Sequence, residues 1–370
     1  MSADIRPSGV FDTRYAQDIA LNRTRTDSFI KHGLIILLLL VPLLTVQGPF
    51  GLSIVPELWI GVINRIATLT IAVQGLNILM GYTGQISLGH AAFMAVGAYT
   101  AAILGRELGM AFWLALPLAA LFTGGVGLLF GLPSLRVKGF YLAMATLAAQ
   151  FIIPWLLQNP LEPLTNGSRP LEVPVPTLGP LSFANDGAIY YVIVPLSILM
   201  MLAARNIIRT RTGRAFISVR DKDLAAEQLG INVFRYKLQA FFLSALYAGV
   251  AGALMAYDTN SLTITTFELN RSIEMLAMLV IGGAGFPLGA VFGVGFVNLL
   301  KEIAIPGVTP ALRVYLPQLL PFIDTVSINA AINPILFGGI LIIFLIFEPR
   351  GLAHRWEILK ISWKIRPFSH

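Results

Sequence analysis

The sequence predicts an all-α polytopic membrane protein with about ten transmembrane or half-spanning helices and both termini in the cytoplasm. Hydrophobic residues make up 56% of the 370 positions and charged residues only 12%, with a mean hydropathy of +0.76. A soluble domain carries about 25% charged residues. The charges are also clustered, so Ile66 to Gly105 contains no Asp, Glu, Lys or Arg over 40 residues. Since a membrane-crossing helix needs about 20 apolar residues, these patterns favour a bilayer protein.

Helices are favoured over a β-barrel because the apolar runs do not alternate. Barrel strands alternate apolar and polar residues, whereas Leu34 to Leu40 and Ile340 to Phe347 are apolar at every position. A helix also satisfies its own backbone hydrogen bonds inside the bilayer. The chain contains no cysteine, which excludes disulfides and thiol chemistry.

The polar segment 1–32 is expected to be a cytoplasmic N-terminal region. Phe11, Tyr15 and Ile19 recur every four residues, a spacing typical of an amphipathic helix lying on the membrane surface. A disordered tail is the alternative. No small-residue cleavage site follows the apolar run Gly33 to Val46, so this run is predicted to be an anchored first span rather than a signal peptide.

A transmembrane domain is expected over 33–347, followed by a basic cytoplasmic tail over 348–370. The Pro- and Gly-rich stretch 159–187 is too polar to cross and is predicted to be an external loop. The polar, glycine-rich GYTGQISLGH at 81–90 separates the second and third spans. The predicted spans are 33–46, 58–80, 88–104, 111–131, 139–157, 188–204, 238–257, 272–284, 287–300 and 332–347.

The distribution of basic residues sets the predicted orientation. With ten crossings, 20 of the 26 Lys and Arg residues lie on the cytoplasmic side, as the positive-inside rule expects. This parity requires two short segments around GGAGFPLG (282–289) rather than one tilted span over 275–300. The net charge of +7 is therefore interpreted as a consequence of topology, and no nucleic-acid partner is expected.

Small residues recur at four-residue spacing and predict close helix packing. Such stripes let helix backbones approach where the hydrophobic effect does not drive association. The stripes are Gly285, Gly289 and Gly293; Gly97, Ala101 and Gly105; and Ser244, Ala248, Gly252 and Ala256.

The sequence contains no machinery of its own for catalysis or energy conversion. The GxxxxGK[ST] phosphate loop, the HExxH zinc motif and the GxSxG hydrolase elbow are absent. His90 is the single histidine at membrane depth, where a hydrogen-bonding or packing role is expected. Glu274 is the one acidic residue placed inside a span, three positions after Arg271, and a surface ion pair is expected between them. The chain is therefore not expected to be an enzyme or to hold a metal.

The longest basic loop, 205–237, is predicted to face the cytoplasm. Within it, Asp221 to Leu229 reads DKDLAAEQL, which is rich in helix formers. Gly230 follows as a typical C-terminal stop. A short rigid helix between two spans could dock a soluble partner.

LAAEQLG (224–230) resembles the coupling loop of ABC importer permeases, in which two alanines precede a glycine. Leu224 stands where that motif has Glu. Three longer segments, 75–104, 212–254 and 273–293, together with FEPRGL at 347–352, resemble the M-type permease of branched-chain amino acid importers. The resemblance covers roughly residues 60 to 355 in order.

The resemblance implies a subunit of an importer in the bacterial cytoplasmic (inner) membrane. Its expected partners are membrane lipids, a homologous second permease, two ABC ATPases and a periplasmic or lipid-anchored solute-binding protein. ATP and Mg²⁺ would bind the ATPases, and no cofactor is expected in this chain. Branched-chain or other hydrophobic amino acids are the expected solutes. Urea or short-chain amides, a stand-alone secondary carrier or channel, and an intramembrane enzyme are the alternatives.

Two sets of candidate site residues follow. The predicted ATPase-coupling surface comprises Arg220, Lys222, Asp223, Ala225, Ala226, Glu227 and Gly230. The predicted translocation pathway comprises Gly81, Gly84, Gln85, Ser87, Gly89 and His90, because non-helical backbone at membrane depth either lines a cavity or is buried in protein. A purely structural break is the alternative for this second set.

Overall fold

The computed structural model describes residues 33, 38, 40–44, 56, 58–134, 140–178, 181–319 and 325–365. The chain divides into two compact units, Val62–Trp356 and a smaller unit formed by Met1–Gly61 and Glu357–His370. In the smaller unit the described residues include a 3₁₀ turn at Val41–Leu44. The expected surface helix within 1–32 lies outside the described residues, as does half of the predicted first span, 33–46.

Helices account for most of the first half of the chain. They are α1 (Leu58–Leu76), which continues as a π turn (Asn77–Gly81), α2 (His90–Glu107), α3 (Phe112–Ser134), α4 (Phe140–Gln158) and the short α5 (Glu162–Thr165). Residues 84–89 between α1 and α2 are not helical. The four longer helices match predicted spans, because their apolar runs are long and carry few charges.

The second half adds two-residue strands, a 3₁₀ turn and nine more helices. The strands are β1 (Leu171–Glu172), β2 (Thr177–Leu178), β3 (Leu181–Ser182) and β4 (Ser261–Leu262), and the 3₁₀ turn is Ile264–Phe267. The helices are α6 (Asp186–Arg209), α7 (Arg211–Asp221), α8 (Asp223–Gln228), α9 (Val233–Thr259), α10 (Leu269–Gly282), α11 (Gly289–Leu299), α12 (Ile305–Leu319), α13 (Thr325–Phe347) and α14 (Leu352–Ile365), with a second π turn at Leu300–Ala304 between α11 and α12.

Helix α9 forms the centre of the larger unit and packs along both α2 and α3. A side chain at Gly97 of α2 would overlap the backbone of Gly249 of α9, and one at Gly252 would overlap the carbonyl of Met94. The prediction that small residues bring helix backbones together is therefore confirmed for α2 and α9. The side chain of Tyr247, also on α9, donates to the Met200 carbonyl of α6 at 2.8 Å.

Five helices within the described residues are long and apolar enough to cross a membrane, or six when the bent pair Pro334–Phe347 and Leu352–Lys360 counts as one span. The molecule is thus an all-helical multi-pass membrane protein. The total of ten crossings and the cytoplasmic position of both termini stay predictions.

The predicted break over 282–289 is confirmed, because α10 ends at Gly282 and α11 begins at Gly289. Two details of the prediction are wrong. Gly285 lies in the intervening turn with φ +85°, so it does not share a helix face with Gly289 and Gly293. The chain also stays helical beyond residue 300, where the predicted span ends before Lys301 and Glu302. Both of these charged residues form ion pairs.

The predicted external loop 159–187 contains regular structure that composition did not indicate. Helix α5 interrupts it, and β1 pairs antiparallel with β4, with Leu171 opposite Leu262. Both leucines are buried. This pairing joins segments about ninety residues apart, a distance at which local sequence patterns carry no information.

Candidate functional site

Four interruptions of the helices come together in the larger unit. We call them the junction, defined as residues 77–89, 220–230, 283–288 and 348–351. The first follows α1, the second separates α7 from α9, the third separates α10 from α11, and the fourth follows α13. All four lie in loops that the charge pattern assigns to the cytoplasmic side.

Asn77, at the start of the π turn after α1, ties the first interruption to the third. Its side-chain amide donates to the Phe286 carbonyl at 2.9 Å, and its Oδ1 accepts from the Gly285 amide at 2.8 Å. The side chain is completely buried. A buried amide without partners costs about 1–3 kcal/mol. These two hydrogen bonds therefore hold the end of α1 and the α10–α11 turn in one arrangement.

Glycine allows the backbones of the junction to touch. A Cβ at Gly81 would overlap the Gly285 amide nitrogen, and a Cβ at Gly351 would lie 2.6 Å from Gly283 Cα. Gly351 also has φ +81°, a conformation that other residues rarely adopt. The FEPRGL turn therefore packs directly on the α10–α11 turn.

Arg220 connects the basic loop 205–237 to the rest of the junction. Its Nη1 donates to the Gly81 carbonyl at 2.9 Å, while Nε and Nη2 lie 3.2 and 3.1 Å from Asp221 Oδ1. The sequence predicted that Arg220 flanks the docking surface. The structure adds a second contact, because its guanidinium is bonded to the end of α1 while 39% of the side chain stays exposed.

The short helix predicted within 221–229 is present as α8, and it ends as Gly230 predicts. Gly230 has φ +81°, its amide donates to the Glu227 carbonyl at 2.9 Å, and the Ile231 amide donates to the Ala226 carbonyl at 3.0 Å. This pair of bonds is a Schellman motif, in which glycine at the left-handed position satisfies the last helical carbonyls. The local sequence was sufficient for this prediction.

The predicted coupling residues divide between two faces of α8. Ala226 is only 2% exposed, and Asp223 forms an ion pair with Lys237 of α9. These two side chains therefore face the chain itself. Lys222, Ala225, Glu227 and Gly230 are exposed.

Two leucines that the site prediction omitted dominate the exposed face of α8 and its C-terminal end. Leu224 is 69% and Leu229 is 81% exposed. Each of these leucines exposes apolar area on a loop that also carries Lys222 and Glu227, a combination expected of a protein-binding surface. We call the two leucines the α8 patch. The departure of Leu224 from the motif's Glu was the one sequence signal for this patch.

Most residues of the predicted pathway segment 81–90 are packed in protein, whereas Gly84 and Ile86 are exposed. Gln85, Ser87 and His90 are at most 3% exposed. The Gln85 side-chain amide donates to Thr83 Oγ1 at 3.0 Å and lies 3.4 Å from the Lys237 carbonyl. His90 Nε2 lies 2.8 Å from the Ala72 carbonyl, which confirms the predicted hydrogen-bonding role.

Amides at the N-terminus of α2 are already bound by side chains of the same chain. The Leu88 amide donates to Thr146 Oγ1 at 2.9 Å. The Ala91 amide donates to Ser272 Oγ at 2.8 Å and the Ala92 amide to Gln150 Oε1 at 3.1 Å. In this conformation these amides are bonded within the chain and do not open toward a solute, and the transport role of the segment stays a prediction. Gly81 and Gly89 contribute close backbone packing, whereas Gly84 adjoins the Arg220 side chain.

A separate ionic network lies where α10 begins and α11 ends, at the far ends of these helices from the junction. Glu274 accepts from Arg271 at 3.2 Å and from Lys301 at 2.7 Å. Glu302 pairs with Arg65 of α1 at 2.7 Å. The predicted Arg271–Glu274 pair is confirmed, but the Glu274 side chain is 14% exposed, so the pair is largely covered rather than on the surface.

A cleft of about 320 Å³ opens between α4 and the start of α10. Its lining combines aromatic and polar side chains: Gln150, Phe151, Pro154, Trp155, Gln158, Glu268, Leu269 and Asn270. Among the described residues, no group of three or more His, Asp or Glu side chains is arranged to hold a metal.

Comparison with known proteins places these features in context. The family model described as branched-chain amino acid transport system / permease component matches residues 58–345. The high-affinity branched-chain amino acid transport system permease protein LivM of Escherichia coli K12 is 31% identical over 353 aligned residues, covering 88% of this chain and 76% of that protein. The nucleoside ABC transporter permease protein NupC of Lactococcus lactis is 24% identical over 269, covering 67% of this chain and 83% of NupC. No solved structure shows significant similarity.

Proposed function

Because the chain belongs to the branched-chain amino acid permease family of ABC transporters, we propose that it is a translocating subunit of an ATP-driven importer for branched-chain amino acids. In this proposal a solute-binding protein delivers the amino acid, and two ATPases and a second permease complete the importer. The observation that carries the coupling role is the apolar patch on α8.

The α8 patch has the chemistry of a docking surface for a soluble motor. Leu224 and Leu229 expose apolar area on a polar loop, and each leucine contributes about 1.5–3 kcal/mol when fully buried by a partner. Lys222 and Glu227 at the margin would set orientation rather than affinity. The partner that fits is an ATPase with an apolar cleft wide enough for one helix.

The sequence contains no phosphate loop, which supports the proposal that ATP and Mg²⁺ bind partner subunits. The loop that holds α8, residues 205–237, contains eight Lys and Arg residues. By the positive-inside rule this loop faces the cytoplasm, the side on which ATP is available. Topology and docking surface therefore support the same arrangement.

Relatives favour branched-chain amino acids over other solutes. The Escherichia coli branched-chain permease matches at 31% identity across 88% of the chain, whereas the nucleoside permease matches at 24% across 67%. Permeases named for autoinducer 2 import match at 25–26%. Greater identity over a longer span supports the first solute class.

Reconstitution tests this function directly. The chain, its second permease, both ATPases and the binding protein would be assembled in proteoliposomes, and ATP-dependent uptake of labelled leucine, isoleucine and valine measured beside guanosine and urea. We expect saturable uptake of the branched-chain amino acids and none with an ATPase variant unable to hydrolyse ATP. Uptake of guanosine instead would change the solute class. Accumulation by the isolated chain under an ion gradient would contradict the importer itself.

A further inference from the structure

Arg220 is placed to link the coupling helix to the helices of the bundle. It lies in the last turn of α7, and Lys222 alone separates the end of α7 at Asp221 from the start of α8 at Asp223. Backbone bonds continue across this point, since the Ala226 amide donates to the Lys222 carbonyl at 3.1 Å. A displacement of α8 therefore displaces α7 as well, because the single residue between them allows little independent movement.

The guanidinium of Arg220 is held at both sides. Asp221 Oδ1 accepts from two of its nitrogens, and the third donates to the Gly81 carbonyl at 2.9 Å. The planar fork of arginine suits such a fixed, several-point contact better than the flexible ammonium of lysine. Hydrogen bonds from a charged donor are also roughly twice as strong as neutral ones.

Two glycines leave the space that the Arg220 side chain occupies. A Cβ at Gly84 would lie 3.1 Å from Arg220 Cγ, and a Cβ at Gly285 would lie 3.1 Å from Arg220 Nη1. Arg220 thus rests between the α1–α2 interruption and the α10–α11 turn. Asn77 joins the same two segments through its bonds to Gly285 and Phe286.

We propose that Arg220 is a positioning residue that transmits movement of α8 to the α1–α2 and α10–α11 interruptions, rather than a contact with the ATPase. This inference rests on the proposed function, because the movement is supplied by the ATPase bound to α8. When α8 shifts, the Arg220–Gly81 bond moves the end of α1, and the Asn77 bonds carry the α10–α11 turn with it. Spatial contiguity alone does not establish coupling, so the test must separate ATP hydrolysis from transport.

Arg220→Ala in the complete importer is the first variant. We expect the subunits to co-purify normally and ATP hydrolysis to stay within about twofold of wild type, while uptake per ATP falls about tenfold, the change expected from losing one charge-assisted bond. Arg220→Lys should restore part of the uptake because its ammonium can still reach the Gly81 carbonyl. Arg211→Ala, which removes an exposed charge from the same helix, is the matched control and should leave uptake unchanged.

A cysteine pair provides a second measurement that does not depend on how well Arg220→Ala folds. A Cβ at Gly84 would lie 3.8 Å from Arg220 Cβ, within the range that a disulfide bridges, and the chain has no other cysteine. In the Gly84→Cys, Arg220→Cys double variant, copper–phenanthroline oxidation should restore uptake per ATP and a reductant should abolish it. The single Gly84→Cys variant reports any effect of side-chain strain at this position, where φ is +69°.

The outcomes are distinct. Wild-type uptake per ATP in Arg220→Ala would overturn the proposal, and so would loss of the ATPases from the complex, because Arg220 would then be a docking contact. Complete crosslinking without recovered uptake would also overturn it. A wild-type complex that hydrolyses no ATP and transports nothing would instead refute the proposed function.

Discussion

The two ends of the helix bundle are held together by different physical means. At the junction, backbones meet where Gly81 touches Gly285 and Gly351 touches Gly283. At the opposite end of α10 and α11, Glu274 and Glu302 hold the helices through ion pairs with long, partly exposed side chains. Backbone contacts leave no freedom to adjust, whereas long charged side chains rearrange and are screened by salt. The junction is therefore the rigid end, and substitutions there should have the larger effects.

Gly81→Ala should produce the largest loss. The methyl group of the alanine would overlap the Gly285 amide and Asn77 Oδ1. The Gly285 backbone is fixed and the Asn77 side chain makes two hydrogen bonds, so neither can move away. We expect destabilisation of about 3 kcal/mol or more, seen as a lower apparent Tm of the purified protein. Gly295→Ala is the control, because nothing lies within 4 Å of the added atom. Equal Tm values for the two variants would show that the junction is not rigid.

Gly230→Pro should abolish transport without preventing membrane insertion. Proline fixes φ near −65°, whereas Gly230 has φ +81° and donates its amide to the Glu227 carbonyl. The Schellman turn would be lost, and α8 would no longer be held in position for a partner. Gly230→Asn is the comparison, since asparagine tolerates the left-handed conformation, and it should retain most ATP-dependent uptake. Full uptake by the proline variant would refute the importance of this turn.

Leu229→Asp should weaken docking of the ATPases while the chain itself stays folded. The leucine is 81% exposed, so its replacement costs the isolated protein little, but a carboxylate would be unfavourable in an apolar cleft. We expect the affinity for the ATPases to fall at least about tenfold, from the roughly 1.5–3 kcal/mol that a buried leucine contributes. Binding measured in detergent, with Gln228→Ala on the same helix as control, distinguishes this from a general effect of loop mutation.

The smallest effect should come from the opposite end. Arg65 and Glu302 are 55% and 29% exposed, and exposed pairs contribute about 0.2–1 kcal/mol. A double-mutant cycle with Arg65→Ala and Glu302→Ala should give a coupling free energy in this range that decreases with added salt. A coupling above about 2 kcal/mol would make this end as rigid as the junction and remove the contrast.

The local features of the fold were predictable from the sequence because each depends on neighbouring residues. Long apolar runs predicted α1, α3, α4, α6 and α9, and GGAGFPLG predicted the break after Gly282. The helix formers before Gly230 predicted α8 and its Schellman end. Helix α7 was missed because its charged residues made it look like ordinary loop, although Phe216 and Val219 are buried.

The sequence by itself determined the membrane class, the family and the short helix α8, since hydropathy, turn chemistry and motif spacing are properties of short segments. Only the tertiary structure decided that residues 77–89, 220–230, 283–288 and 348–351 meet. The contact that Arg220 makes with the end of α1 was likewise beyond the sequence, because an arginine in a basic loop is expected to contact only solvent. The partner of Arg220 is the Gly81 carbonyl, 139 positions away. Every residue has a backbone carbonyl, so residue types in the sequence do not indicate this contact.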